Sequence, residues 1–261
     1  MNPIDKQVEK IKKQNRLGLM THVVLGYPNI NETRKIILAM VKAGADFIEL
    51  QIPFSDPLGD GEVIRKANTT SLENGFRVSH AFELARQLRQ EDKIQIPLLF
   101  MTYFNIVFNY GVEKFCQDSA DVGINGLIVP DYSSFAESRD GLEKYAKQND
   151  LYLIKFLSLD SSNEYIKQVG QSAKGFVYCF AQRGVTGAHQ DMLAELANFL
   201  DKIRQQVQTP LAVGFGISHS EHLRQLESKA DVAIVGSALI EAYNNGGITG
   251  VEEKLNKLAR K

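Results

Sequence analysis

Very little in this chain points to a disulfide-stapled, membrane-bound or nucleic-acid-binding protein. Its 261 residues hold two cysteines, Cys116 and Cys179, in no CxxC pair. That spacing suggests no disulfide framework and fits a reducing cytosol. The 30 basic and 31 acidic residues leave a formal net charge of −1. No strong field therefore draws the chain to nucleic acid or to a lipid surface. No apolar run approaches a membrane span, and the opening MNPIDKQVEKIKKQNR lacks the apolar centre of a signal peptide. No low-complexity or Pro/Ser-rich linker divides the chain either, so residues 1–261 are expected to form one domain.

What the chain does have is an alternation. Short apolar runs occur at 19–26, 46–52, 96–101, 126–130, 151–157, 175–180, 210–215 and 231–236. Helical patterns such as NETRKIILAMVKAG (31–44) and DMLAELANFLDKIRQQV (191–207) lie between them. Strands that alternate with helices must be parallel and joined by crossovers. Eight such units over about 250 residues predict an α/β fold, a (β/α)₈ TIM barrel. A doubly wound open sheet is the alternative, but no GxGxxG turn follows the first strand. Ile4, Val8 and Ile11 recur at helical spacing ahead of the first strand, predicting an extra amphipathic N-terminal helix. Its basic outer face suits a cap on the barrel floor better than a nucleic-acid arm, given the neutral charge balance.

In a barrel of this kind chemistry belongs at the C-terminal ends of the strands. Glycine clusters follow the last three: RGVTGA (183–188), GFGIS (214–218) and GSALI (236–240). Any one of them is explained by a tight turn. Three at consecutive strand ends, with a helix starting at Ser237 and Ala238, predict a phosphate held by main-chain N–H groups and a helix dipole.

The second strand reads ADFIELQIPF, so Phe47, Glu49 and Gln51 share its inward face while Ile48, Leu50 and Ile52 face the helices. Burial of Glu49 under the mouth would suit proton transfer near neutral pH. Asp60 follows the Pro53–Pro57 turn region and can arch back over the mouth, more solvated and ionised. On spacing alone, Glu49 is equally a structural acid paired with a cation, and Asp60 equally a turn residue in LGDG.

Ordered motifs resolve this ambiguity. ELQIPFSDPLGDGEVIR, MTYFNIVFNYG (101–111), LIVPDYS (127–133), GFVYCFAQRGVTGA (175–188), VGFGIS (213–218) and VGSALI (235–240) together resemble the tryptophan synthase alpha chain family, over essentially the whole chain. The resemblance implies a lyase that cleaves indole-3-glycerol phosphate by retro-aldol chemistry to indole and glyceraldehyde 3-phosphate, with no metal or organic cofactor in this chain. It assigns Glu49 to protonation of indole C3 and removal of the glycerol hydroxyl proton, and Asp60 to the indole N–H. Tyr178 would shape the site around Glu49, and Thr186 would hydrogen-bond Asp60 when the sixth loop closes. The phosphate would lie on backbone N–H groups of Gly187, Gly216, Gly236 and Ser237. The implied partner is a beta chain carrying pyridoxal phosphate, in an assembly of two alpha and two beta chains through which indole passes.

Departures from the family pattern gather at the mouth. Gln51 stands for a usual Gly, Glu62 for Pro and Arg65 for Gln. Ser133-Ser134 replace a frequent Pro pair, and Ala181-Gln182 replace Ser-Arg. These bear on lid closure and on coupling to the partner. Lys155 on the fifth strand is the rival nucleophile, for a Schiff-base aldolase. The pair His219 and His222 reads as a solvated first helical turn after an N-cap Ser, rather than a metal site. His22 reads as an apolar-face residue that lines the pocket. Two further function classes are another phosphate-handling barrel enzyme, against which the PFSDPLGDG loop argues, and a docking partner that activates a beta chain without turnover.

Overall fold

Each apolar run becomes a parallel strand, and each amphipathic stretch packs as a helix outside the sheet. The computed structural model describes residues 1–57, 59–132, 137–180, 189–214 and 216–259. Its strands are β1 (Gly18–Val24), β2 (Phe47–Gln51), β3 (Leu98–Met101), β4 (Gly126–Ile128), β5 (Tyr152–Leu153), β6 (Lys155–Ser158), β7 (Val177–Phe180), β8 (Leu211–Gly214) and β9 (Val232–Val235). The helices are α1 (Pro3–Lys13), α2 (Ile30–Lys42), α3 (Glu62–Glu73), α4 (Val78–Gln90), α5 (Phe104–Tyr110), α6 (Val112–Asp121), α7 (Glu137–Asp140), α8 (Leu142–Gln148), α9 (Asn163–Ser172), α10 (His189–Arg204), α11 (Ser220–Leu226) and α12 (Ser237–Ala259).

The sheet runs β5-β4-β3-β2-β1-β9-β8-β7-β6, and every described pairing is parallel. β5 and β6 stand at opposite ends of that order, yet only Ile154 separates them in the chain. Ile154 N–H donates to Leu127 O at 2.9 Å, so this one extended segment borders β4 on one side and β7 on the other. Covalent continuity thereby closes the sheet into the TIM barrel that the strand rhythm predicts. The fifth predicted strand is the one interrupted, at Ile154.

Strand alternation builds two cores. Met20, Phe47, Leu99, Ile128, Ile154, Phe176, Ala212 and Val232 fill the barrel, where Phe47 meets Phe176 edge-on at 5.7 Å. Ile48, Leu50, Leu98, Phe100, Leu127, Val177 and Val213 face outward against the helices.

The N-terminal end of the barrel is plugged by α1, as its hydrophobic spacing predicts. The Asn2 side chain caps it by accepting from Ile4 N–H at 2.9 Å. Ile4, Val8 and Ile11 insert into the inner core. Close approach depends on missing side chains in the strands below. A Cβ at Gly18 would lie 2.7 Å from Ile11 Cδ1, and one at Gly126 would lie 3.0 Å from Ile4 Cδ1. Polar groups fasten the same helix, with Gln7 Nε2 donating to Asp46 Oδ1 at 2.7 Å and Asn2 Nδ2 to Asp150 O at 2.7 Å. With the floor sealed, the C-terminal end is left for chemistry.

Ile4→Ala is expected to lower unfolding free energy by about 2–5 kcal/mol, through lost burial and the cavity left behind. Urea unfolding measures this, and a change below about 0.5 kcal/mol would show that α1 is not part of the core.

Candidate active site

On β2 the alternation falls as the sequence predicts. Phe47 joins the inner core, Ile48 and Leu50 join the outer one, and Glu49 and Gln51 follow Phe47 up the inward face. Glu49 is 2% exposed. In the β1–β2 register His22 is paired with Glu49, and His22 Nδ1 stands 3.5 Å from Glu49 Oε1. That distance is within ion-pair reach and long for a hydrogen bond. Glu49 Oε2 and His22 Nε2 are both buried without a hydrogen-bond partner.

Asp60 does arch back over the mouth. Its backbone N–H donates to Pro57 O at 3.1 Å, and its Oδ2 accepts from Gln51 Nε2 at 2.6 Å. Asn68, buried on α3, steadies the same connection: its Oδ1 accepts from Phe54 N–H at 2.9 Å. Phe54 in turn stacks on Tyr103 at 4.9 Å between ring centroids. The Tyr103 hydroxyl sits beside Gly59, where it would lie 3.7 Å from a Cβ, and it completes no hydrogen bond.

Electrostatics tie these groups together. Burial opposes charge on His22, but the Glu49 carboxylate, aided by Asp60 and the Gln51 amide, outweighs it and raises the imidazole pKa. The Gln51 contribution does not amount to a formed bond, since Gln51 Oε1 is itself buried and unpartnered. Burial raises the Asp60 pKa, and His22 and the Gln51 donor only partly offset this. Asp60 is half-buried where Glu49 is fully buried, as the sequence predicts, but it is covered enough for burial to raise its pKa rather than favour the ionised form. Tyr178 on β7 keeps partial exposure. Burial, then the charges of Glu49 and Asp60, push its hydroxyl pKa well up, so it faces both carboxylates as a neutral phenol.

Next to β1 lies the end of β9, where the sequence predicts part of a phosphate rim. α12 starts at Ser237 directly after Gly236, and first-turn N–H groups of a helix have no acceptor within it. A Cβ on Gly236 would stand 3.5 Å from the His22 ring, which puts this helix start beside the buried pair. Gly216 has φ of +61°, a left-handed turn that favours glycine. Thr186 and Gly187, with Ala181 and Gln182, lie outside the described residues, as do Ser133 and Ser134.

The structure separates the other candidates from the site. Lys155 lies between the inward-facing Ile154 and Phe156, so it points outward and pairs with Glu143 on α8. This removes it as a Schiff-base nucleophile inside the barrel. At the start of α11 the cap position is His219 rather than a serine, and His222 Nδ1 accepts from Ser218 N–H at 3.4 Å. No group of three or more His, Cys, Asp or Glu among the described residues could hold a metal ion. Sequence reasoning placed Gln51 on the inward face and His22 at the pocket lining but gave neither a polar partner, and it gave Tyr103 no role. The signal for His22 was parity, since it lies two residues beyond inward Met20 just as Glu49 lies two beyond inward Phe47.

A family profile described as "Tryptophan synthase alpha chain" matches residues 8–261. The chain belongs to that family. It is 42% identical over 256 residues to the tryptophan synthase alpha chain of Desulforapulum autotrophicum, covering 98% of this chain and 100% of that one. Identity to the alpha chain of Desulfotalea psychrophila is 45% over 244 residues, covering 94% of each. The solved tryptophan synthase subunit alpha of Legionella pneumophila superposes with a TM-score of 0.88 at 32% identity, covering 99% of this chain and 97% of that one. Within the family frame, Glu62 and Arg65 are exposed on the first turn of α3, whereas Gln51 is wholly buried and bonded to Asp60.

A stability signature follows from Asp60. Its folded-state pKa lies above the ordinary 3.8, so the native chain holds that proton more tightly than the unfolded one. The favourable contribution is full below the unfolded value and is lost as pH rises through the raised folded value. Asp60→Asn keeps an oxygen for Gln51 and removes the titration. The thermal midpoint of this variant relative to the parent is expected to climb as pH rises through that window. A difference that stays flat with pH would contradict the burial of the Asp60 carboxylate.

Proposed function

We propose that the chain, acting as one barrel domain, is the alpha subunit of a tryptophan synthase. It cleaves indole-3-glycerol phosphate to indole and glyceraldehyde 3-phosphate and hands indole to a beta chain, where pyridoxal phosphate chemistry completes tryptophan. The observation that carries this reading is the pair of unlike carboxylates at the mouth: Glu49, buried with Oε2 unpartnered, and Asp60, held above it by Gln51. Family membership and the helix start at Gly236 and Ser237 support it.

The chemistry needs an electron sink, because nothing in this site forms a Schiff base. Protonation at indole C3 supplies one. Glu49 delivers that proton and the ring nitrogen takes up the positive charge, which Asp60 balances from the N–H side. Glu49, now a carboxylate, removes the proton of the glycerol-chain hydroxyl. The O–H electron pair forms the new carbonyl, the C–C bond breaks, and its pair returns to the ring to regenerate neutral indole. Glu49 ends the cycle protonated, as it began. Two carboxylates in unlike surroundings, one buried and one half-exposed, can divide such duties. Tyr178, a neutral phenol that feels the charge of both carboxylates, would keep water from the reacting face. Thr186 and Gly187 belong to this reading as the closing loop and part of the phosphate cradle, with Gly216, Gly236 and Ser237 as the rest. Two unpaired thiols, Cys116 and Cys179, fit a cytoplasmic setting.

Indole release by the purified chain, with and without a beta chain, tests the reading. Glu49→Gln is expected to reduce the rate by about 10²–10⁴-fold, and Asp60→Asn by about 10²–10³-fold. Parent-like turnover in either variant removes that residue from its role. Glycerol 3-phosphate at about 100 times its Kd is expected to add about 2.7 kcal/mol of stability, and a flat thermal-shift titration would argue against the rim.

A further inference from the structure

Two buried polar residues at the mouth, His22 and Gln51, have no part in the reaction as described above. Both adjoin Glu49: His22 is its partner in the β1–β2 register and Gln51 lies two residues along the same strand face. Three atoms of this group, His22 Nε2, Glu49 Oε2 and Gln51 Oε1, are buried without hydrogen-bond partners. A buried polar atom without a partner is unfavourable, so three of them side by side mark a place where a further bond can form.

We propose that His22 is a positioning residue and proton partner for Glu49, sharing one proton between His22 Nδ1 and Glu49 Oε1, while Gln51 couples that pair to Asp60. This rests on the function proposed above. The proton balance is closed. The shared proton passes from His22 Nδ1 to Glu49, which delivers a proton from Oε2 to indole C3. The hydroxyl proton of the substrate then returns to Glu49 and is shared again with His22. No external acid or base enters.

The groups that face the imidazole support this assignment. From β2 it meets Glu49 and Gln51, and from the loop above it meets Asp60. Its other neighbour, β9 with Gly236, offers no charged or titratable side chain. Tyr178 faces the carboxylates from β7 as a neutral group. His22 therefore sees two acids and no competing cation among the described residues.

The test uses the full chain. Long-range ¹H–¹⁵N spectra of its five histidines, with His22 assigned by loss of its signal in His22→Phe, are followed across pH in the parent and in Glu49→Gln. The His22 midpoint is expected above the ordinary value of about 6.5 and should fall by about one pH unit or more in Glu49→Gln. An unmoved midpoint overturns the proposal. In parallel, the pH profile of kcat/KM for indole release is expected to lose its basic limb about one unit earlier in His22→Asn. An equal loss at every pH means that His22 only packs, and this also overturns the proposal. His22→Phe serves as the second variant should His22→Asn fail to fold. If the parent releases no indole, the proposed function fails by itself, and the shared proton is decided by the spectra alone.

Discussion

The pairing of His22 with Glu49 across β1 and β2 holds a carboxyl group where a barrel would otherwise place a hydrocarbon. Removing a carboxylate from water costs several kcal/mol unless charge or hydrogen bonds replace the lost hydration. A slip of one residue in β2 would turn Glu49 out toward the helices and bring Ile48 and Leu50 into the barrel. Phe47 against Phe176 on the inside, with Ile48 and Leu50 in the outer core, makes that slip costly. Register is thus fixed by apolar packing, and the polar site inherits its geometry from it.

The two ends of the barrel treat buried polarity in opposite ways. At the floor, Asp46 accepts from Gln7, from both terminal nitrogens of Arg16 and from Leu19 N–H. Arg89, whose pKa burial lowers to about 10, donates to the carbonyls of Ile94, Ile96 and Gly123 and to the Asn125 side chain. Charges there are saturated, which suits a stabilising face. At the mouth, Glu49, His22, Gln51 and Tyr103 each keep one buried atom unpaired. Among the described residues, two buried hydroxyls elsewhere, of Thr21 and Ser119, are also unpartnered, but only at the mouth do such atoms lie together where a ligand can supply the missing bonds.

Much of this was legible in the residues because it depends on period and order. Strand alternation placed Glu49 inward, and hydrophobic spacing placed α1 at the floor, whereas Lys155 stayed a rival nucleophile until the parity of Ile154 and Phe156 turned it outward. Glycine clusters with a following helix indicated the rim. What could not be read was cross-strand register. Nothing local to MTHVV announces that His22 will face Glu49, because the partner arrives from a different strand some two dozen residues on. The direction of the Asp60 pKa was hidden for a related reason. A loop carboxylate looks fully solvated in sequence, but Asp60 is half-covered and bonded to Gln51, a residue of another element.

Gln51 is where these threads meet. With Gly at this position, as the family pattern has it, Asp60 would be placed by its loop alone. Here a buried amide reaches it at 2.6 Å and fixes its direction before any ligand arrives. The donor favours the ionised carboxylate while burial favours the neutral one, and burial is the larger of the two. The amide also occupies space that a Gly would leave open, so orientation is gained where loop freedom is reduced. Preorganisation of this kind lowers the ordering entropy left to the substrate. A bound indole ring, which brings an N–H donor, would join the Gln51 amide in favouring the ionised carboxylate against the burial that raises the Asp60 pKa.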